Sequence, residues 1–560
     1  MLTVVTSRRV AWGLALALVS GILAVAAPAR AANFTVASTA DGVDAAPGDG
    51  TCATAAGVCT LRAAVGEANA TAGADTITLP AGTYQLTIPN TEPDVPNDNS
   101  RGDLDVFGES LTITGAGATT TSIVGVQGER GDRIIHVVGQ NGPQHLTLTG
   151  LTLRGGQTGF AGSGGAVEVS GDDDELTITD SVIRDNADGG TAGGGIAVTN
   201  GGTFTMTRSV VSDNAGGCSG GGLALTGPST ITASTISNNT AECGGGGLVI
   251  GASAENPEAG RSLTTIVNST ISGNRAQQGG GGLQTTSPVT LTHVTIANNR
   301  AGGNFEGEPP GGGVNVGGGP ENPDGIRFEN TLMYNNASLT GAPNNCADEN
   351  EGAGLVSGGG NVDNGSSCGF TGTGDQANAA VVLLALGNYG GPTPTHALGT
   401  QSQNDAIDSG ISSTCPATDQ RGTIRPLDGD GNGNPGCDAG AFELDPSDPP
   451  ADGTAPAITS VKDAPDPFTP RGRTKKTTKI SFVLSEAAAV TVNVENRGGT
   501  VVRSLLTAVQ KAAGSVSVRW NGKSGQAKFV KPGRYTYRIS AVDAAGNEGT
   551  ASGTVTVKKP

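Results

Sequence analysis

Four sets of residues in the sequence are of types and spacings that could do chemistry. Asp428, Asp430, Asn432 and Asn434 alternate with glycine around a turn at Gly433 and offer oxygens to a hard cation such as Ca²⁺. The twelfth position of that loop is Ala439, where a full EF-hand loop needs Glu, so an acidic solvated turn stands beside the calcium reading. Asp172-Asp173-Asp174-Glu175 is the densest carboxylate group and could imitate a hydrolase pair or a metal site; it precedes Leu176 in a loop and reads as a solvated turn. Arg101-Gly102-Asp103 and Arg130-Gly131-Asp132 are cell-adhesion tripeptides on their face, and three-residue matches are expected by chance in a chain so rich in Gly and Asp. The only histidines are His136, His145, His293 and His396. No motif requires a cofactor.

Arg8 and Arg9, an apolar stretch from Ala11 to Ala27 and Ala29-Arg30-Ala31 form an expected signal peptide over 1–31, which makes the chain an exported, extracellular one. In that compartment eight cysteines suggest disulfides, and spacing favours near neighbours: Cys52 with Cys59, Cys218 with Cys243, Cys346 with Cys368, Cys415 with Cys437. Zinc is the weaker reading, because no Cys-x-x-Cys occurs and the histidines lie apart from the cysteines. No later segment has the apolar length of a membrane span. All ten lysines lie from Lys462 onward; residues 454–560 carry 17 Lys and Arg against 6 Asp and Glu, whereas residues 32–453 carry 13 Arg against 45 acids. The acidic body argues against a nucleic-acid partner, and the basic terminal module suits an anionic wall polymer.

The elements that must position these groups are legible from a repeat between Gly164 and Asn336. One half is a glycine run ending in an aliphatic pair, as in Gly193-Gly194-Gly195-Ile196 and Gly220 to Leu223. The other is an aliphatic followed three residues later by Asn: Ile183/Asn186, Val211/Asn214, Ile236/Asn239, Ile271/Asn274, Ile296/Asn299 and Leu332/Asn335. A turn of about 25 residues holds short strands that pair in parallel with their copies in the coils above and below. Inward Leu146, Leu148, Leu176, Ile178, Phe204, Met206, Val289 and Leu291 alternate with outward threonines. The asparagines are expected to form an internal ladder, and inserts at Ser253 to Glu258 and Phe305 to Pro310 read as loops. The expected fold is all-β: a right-handed parallel β-helix, a pectin-lyase-like solenoid, over 121–375, followed by an Ig-like β-sandwich.

The Gly-Gly-Ala-Ile-like and Asn-bearing halves resemble the polymorphic outer membrane protein repeat, whose members are autotransported adhesins; the lysine-rich last domain ending Val557-Lys558-Lys559-Pro560 does not support an autotransporter barrel. Residues 33–84, with TCATAAGVCTLRAAVGEANA, are similar to the CSLREA domain, so 32–120 is expected to cap the solenoid with a short helix carrying Leu61, Ala64, Val65 and Ala68 on one face. LGNYGGPTPTHAL, DAIDSG, DQRGTIRP and CDAGAFE between Leu386 and Glu443 resemble the choice-of-anchor Q domain, which implies a C-terminal cap over 376–445 and surface attachment; Asn404-Asp405 stands where that family has Ser-Pro. After a linker at 446–470, residues 471–560 alternate like a sandwich, and Trp520-Asn521-Gly522 and Gly533-Arg534-Tyr535 resemble the Ig-like module of flagellar hook-capping proteins.

The leading expectation is a secreted or surface-displayed, non-enzymatic adhesive or scaffolding surface for extracellular polysaccharide or protein. The alternative is a polysaccharide lyase or glycoside hydrolase of the pectin-lyase-like fold, against which stand a body without lysine and isolated aromatics at Tyr84, Phe160, Tyr334 and Tyr389. Regular rows of outward Thr would also serve an ordered lattice such as ice, with the rows expected to break at Ala233 and Asn268.

Overall fold

The computed structural model describes residues 31–559 except 91–98, 127–130, 140–141, 160–161, 191, 252–262, 304–309, 318–324, 350–353, 400–402, 448–454, 473, 475, 499, 526–527 and 544–546. The expected signal peptide, the loop from Ser253 to Glu258, most of Phe305 to Pro310, Phe160 and Arg130 lie outside the described residues.

Four parallel sheets run the length of the body. Sheet I has 11 strands, from Asn33–Thr35 to Leu355–Gly359; sheet II has 11, from Gly82–Gln85 to Gln376–Ala377; sheet III has 7 strands of two residues, from Gln157–Thr158 to Ala337–Ser338; sheet IV has 9, from Leu104–Val106 to Cys346–Asp348. From His145 to Asp348 each coil visits I, II, III and IV in turn, the first coils lacking a strand in III among the described residues, and each pairs only with its neighbours, so a parallel β-helix results. Ile183, Val211, Ile236, Ile271 and Ile296 are successive register partners in sheet II. All five are essentially buried within one continuous aliphatic core.

The ladder and the glycine runs explain each other. Asn274 Oδ1 accepts the backbone N–H and the Nδ2 of Asn239, and Asn274 Nδ2 donates to Ile236 O and to Asn299 Oδ1. A Cβ on Gly247 would lie 2.5 Å from Gly282 O and 3.0 Å from Asn274, so only glycine lets the coil pass over the amide. Asn186, Asn214, Asn239, Asn274 and Asn299 all belong to this ladder, but its next rung is Asn336, bonded onward to Asn345, and not the expected Asn335. Asn335 instead ends the column of left-handed corner residues Asp185, Asp213, Asn238 and Asn298, at φ 52°. The inward residue three before the rung is Met333, in register with Ile296; Leu332 points outward.

Helix α1 (Leu61–Ala70) covers the N-terminal end, with Leu61, Ala64, Val65 and Ala68 buried in the solenoid core. The Thr60 hydroxyl caps it by accepting from Ala63 N–H at 3.2 Å and donates to Gly42 O. Thr60→Ala is expected to cost about 1 kcal/mol, with Thr60→Ser restoring most of it, read from urea unfolding midpoints. Arg62, fully buried, pairs with Asp41 at 2.7 Å and donates to Gly102 O and Asp103 O, tying the helix to the first coils.

At the other end Phe370 stacks edge-on against Phe328 at 5.1 Å beside the Cys346–Cys368 disulfide. Residues 379–444, read as a C-terminal cap, touch the last coil through Ile411 against Gly359 and Gly360 and through Asp405, whose carbonyl accepts from Gln376. Most of the segment, however, folds back over the outer face of sheet II, where Thr235, Thr270, Thr295 and Leu332 of four successive coils meet it. Cys52–Cys59, Cys218–Cys243 and Cys415–Cys437 are the other disulfides, the second joining adjacent coils.

The sandwich begins earlier than expected: Ile458–Ala464 is already one of its strands, inside the segment read as linker. It pairs with Thr478–Leu484, which pairs in turn with Gly514–Trp520; the facing sheet holds Val501–Lys511, Ala488–Glu495, Gly533–Val542 and Glu548–Val557. Phe468, Trp520 and Tyr535 stack edge-on at 5.4 Å spacings in the core, with Trp520 Nε1 satisfied by Lys523 O.

Candidate functional site

The outer face of sheet I carries the most regular array on the molecule. Thr76, Thr112, Thr147, Thr177, Thr205, Thr230, Thr265 and Thr290 are successive register partners, eight coils without interruption. Two residues along each strand a second column runs Thr35, Thr78, Thr114, Thr149, Thr179, Thr207, Thr232, then Val267 and Thr292. Parallel strands set the rows about 4.8 Å apart along the axis, and two residues of strand set the columns about 6.6 Å apart. The inward Leu, Ile, Phe and Met between them hold this spacing. Ala233 and Asn268, where a break was expected, lie one residue beyond the columns, in corner positions with φ of 50° and 46°. The rows break instead at Val267 and, at the far end, at Arg327 and Glu329, an ion pair at 2.8 Å.

Threonine suits a presented face. Its β-branch fixes χ1, so little side-chain freedom is lost on contact, and each residue offers a methyl and a hydroxyl side by side. The array is uncharged across these columns from Thr76 to Thr290; His145 and Glu175, paired at 3.0 Å, flank it in a third position of the strand.

A second group was not foreseen. On sheet IV the three-residue strands Leu104–Val106, Ile135–Val137 and Val167–Val169 stack Asp105, His136 and Glu168 in register between buried aliphatics. Arg133 bridges Asp103 at 3.3 Å and Glu168 at 2.9 Å, and Asp132 joins through its contacts with Asp103 N–H and Asn90. The carboxylates of Asp103 and Asp105 and a ring nitrogen of His136 come within 4.8 Å of one another. All of Asp103, Asp105, Asp132, Arg133 and His136 are less than a tenth exposed, so the group is a covered ionic cluster on the side of sheet IV opposite the aliphatic core of the first coils. Asp103 is thereby withdrawn from any adhesion tripeptide at Arg101-Gly102-Asp103. The sequence signal was there: an ionisable residue at the centre of three aligned aliphatic triplets.

The carboxylate run at 172–175 is divided by the fold. Asp172 and Asp173 are exposed, whereas Asp174 is buried, accepts N–H bonds from Gln144 and Gly171, and has its carboxyl pushed up by that burial. It is a turn-fixing residue and not part of a solvated group.

In the loop read as a calcium site, Asp428 and Asp430 are joined by Asp408, whose carboxylates come within 4.8 Å of theirs. Asn432 and Asn434 are chained to this group: Asn432 Nδ2 donates to Asp430 Oδ2, and Asn434 Nδ2 to Asn432 Oδ1. Asp408, Asp428 and Asp430 thus bring three carboxylates together, Asp408 being a member not expected from the sequence, beside Asn432 and Asn434 in the same turn. Asp408 already accepts the N–H groups of Gly429, Asp430 and Gly436, and burial raises its carboxyl above the usual range.

The remaining histidines hold the folded-back segment in place. His396, fully buried, donates from Nδ1 to Leu384 O at 2.6 Å and accepts at Nε2 from Ser272 Oγ at 2.8 Å, and burial pushes its pKa down to about 4. Burial and the neighbouring Arg425 push His293 well below the ordinary imidazole value. Residues of the DQRG stretch serve the same seam: Gln420 bridges Thr235, Thr270 and Thr393, while Arg421 pairs with Asp419 and lies 3.7 Å over the Phe442 ring.

Among known proteins, the family model of the FlgD Ig-like domain matches residues 469–545, the terminal sandwich, and the resemblances of 33–84 and 386–443 have no family support. No curated protein matches the chain. No helix among the described residues is long and apolar enough to cross a membrane.

Proposed function

We propose that the protein is a secreted, non-enzymatic binding surface, an adhesive or scaffolding solenoid that engages an extracellular polymer through the threonine face of sheet I, with the basic Ig-like module as a second contact on anionic wall polymer. The observation that carries this reading is the unbroken eight-coil threonine column. Many weak, identical contacts repeated at a fixed spacing add up only on a partner that is itself extended. The resemblances to CSLREA and choice-of-anchor Q proteins support display at a cell surface.

The test is depletion of the purified chain from solution by insoluble cellulose, chitin and bacterial wall, beside a variant carrying Thr147→Lys, Thr177→Lys and Thr205→Lys. Three ammonium groups on adjacent rows spoil the spacing and repel one another, and at least a tenfold loss of retention is expected. Equal retention by the variant removes the face from the function. Release of reducing ends or unsaturated uronate that disappears when one carboxylate is replaced would defeat the non-enzymatic reading in favour of the lyase or hydrolase.

The continuity of the first column past the coils of Ala233 and Asn268, from Thr230 to Thr265, specifically favours a second reading, an ordered lattice such as ice. A two-way periodic set of methyls and hydroxyls is matched by a surface with its own fixed repeat. Ice-growth inhibition by the wild type and its loss in the triple variant is the arm of the same experiment that separates it from polymer binding.

A further inference from the structure

Sheet III has its own outer face, and it forms a groove. A hollow of about 410 Å³ over its first coils and one of about 310 Å³ over its last share Arg275. The strands here are two residues long, and their inward residues Ala241, Ala276 and Ala301 are small, so the sheet forms a narrow trough running across successive coils. Thr240, Gln277 and Asn335 put hydroxyl and amide groups along it, while Glu242 and the Asp188 carboxylate, which holds the buried Thr158 hydroxyl, line the first hollow away from Arg300.

Arg275 and Arg300 are register partners on adjacent strands of this sheet, both pointing outward and both at least partly exposed. Among the described residues neither makes an ion pair or a side-chain hydrogen bond, although residues 32–453 carry 13 Arg against 45 acids. Two like charges directly opposite each other on neighbouring strands repel, and a carboxylate is the natural partner of a guanidinium. In so acidic a body, two arginines stacked on adjacent strands of a groove, with no protein carboxylate on either among the described residues, leave their guanidinium groups open to an external one.

We propose that the sheet III trough binds a linear glycan bearing isolated carboxylates, one of which bridges Arg275 and Arg300 while neutral sugar hydroxyls meet Thr240, Gln277 and the Glu242 carboxylate beyond. The surrounding negative charge repels a densely charged polyanion, so the ligand carries its carboxylates sparsely. The bridge is bidentate in type, one oxygen to each guanidinium, across strands about 4.8 Å apart. This site lies on a different sheet from the threonine face and stands or falls separately from it.

The experiment is calorimetric titration of the full chain with a hyaluronan hexamer, whose carboxylates occur on alternate sugars, beside chitohexaose and sodium sulfate at the same low salt. Saturable binding of the hyaluronan hexamer is expected, weakened at least tenfold by Arg275→Gln and by Arg300→Gln, abolished by high salt, and absent with chitohexaose. Both variants lie on the surface, and an unchanged circular dichroism melt shows that they fold. No heat with the hexamer, or equal affinity in the two glutamine variants, overturns the proposal. Sulfate binding as tight as the hexamer overturns the glycan assignment by showing a bare anion site. The Thr→Lys triple variant keeps hexamer binding here whether or not it retains its matrix.

Discussion

Asn274→Ala is expected to destabilise the solenoid by roughly 3–5 kcal/mol, while Asn335→Gly changes it by less than about 0.5 kcal/mol. The first substitution removes an amide with no solvent exposure and strands the Asn239 N–H, the Asn239 Nδ2 and the Ile236 carbonyl in a dry interior. Each unsatisfied buried group costs about 1–3 kcal/mol, and relaxation recovers part of the sum. The second replaces a left-handed residue at φ 52° by the one that adopts such a backbone without strain. Urea unfolding of the two variants reads the difference, and equal midpoints would return Asn335 to the ladder. Asn336→Ala, at the true rung, is the companion that should behave like Asn274→Ala.

Acidification from pH 7 to 4.5 is expected to loosen the segment folded back over sheet II. The His396 pKa falls from 6.5 to about 4 on folding. Between those values the unfolded imidazole holds a proton that the folded one refuses. Stability from this group is therefore complete above pH 6.5 and declines as pH falls toward 4. A difference of 2.5 units corresponds to about 3 kcal/mol. Asp438 and Glu443, whose carboxyls are raised by burial, act in the opposite sense because the folded state takes up their protons first. His396→Gln isolates the imidazole: its pH profile should be flatter than the wild type's between 4 and 6.5, measured by amide exchange of residues 383–398. Parallel profiles would sink the assignment.

What could be read from the residues and what could not divide along a physical line. Features set by a coil and its immediate neighbours were legible, because period and side-chain type alone fix them: the aliphatic column from Ile183 to Ile296, the glycine corners, helix α1, and the alternation of the terminal sandwich. Features set by what lies against the outside of the solenoid were not. Leu332 drew the Asn count to 335 because an outward leucine looks like an inward one; it is apolar because Ala397 and Phe442 of the returning segment cover it. The same covering explains why Arg184 gives way to Ser212, Ser237, Ser272 and Ala297 in one outward column of sheet II, a thinning of side chains that marked the docking face in advance. The break in the threonine rows was misplaced for a related reason, since Ala233 and Asn268 belong to the corner and the corner is invisible until the strand ends are known.

The returning segment also decides how a pull would enter the molecule. The chain leaves for the Ig-like module after residue 444, at the end of a segment that is bonded along the flank of the body. Tension from that side meets Thr235, Thr270 and Thr295 through bonds on three separate layers at once, a lengthwise shear, where a direct exit from the final turn would let the stack unzip one layer at a time. A tethered body of this build holds its shape under drag.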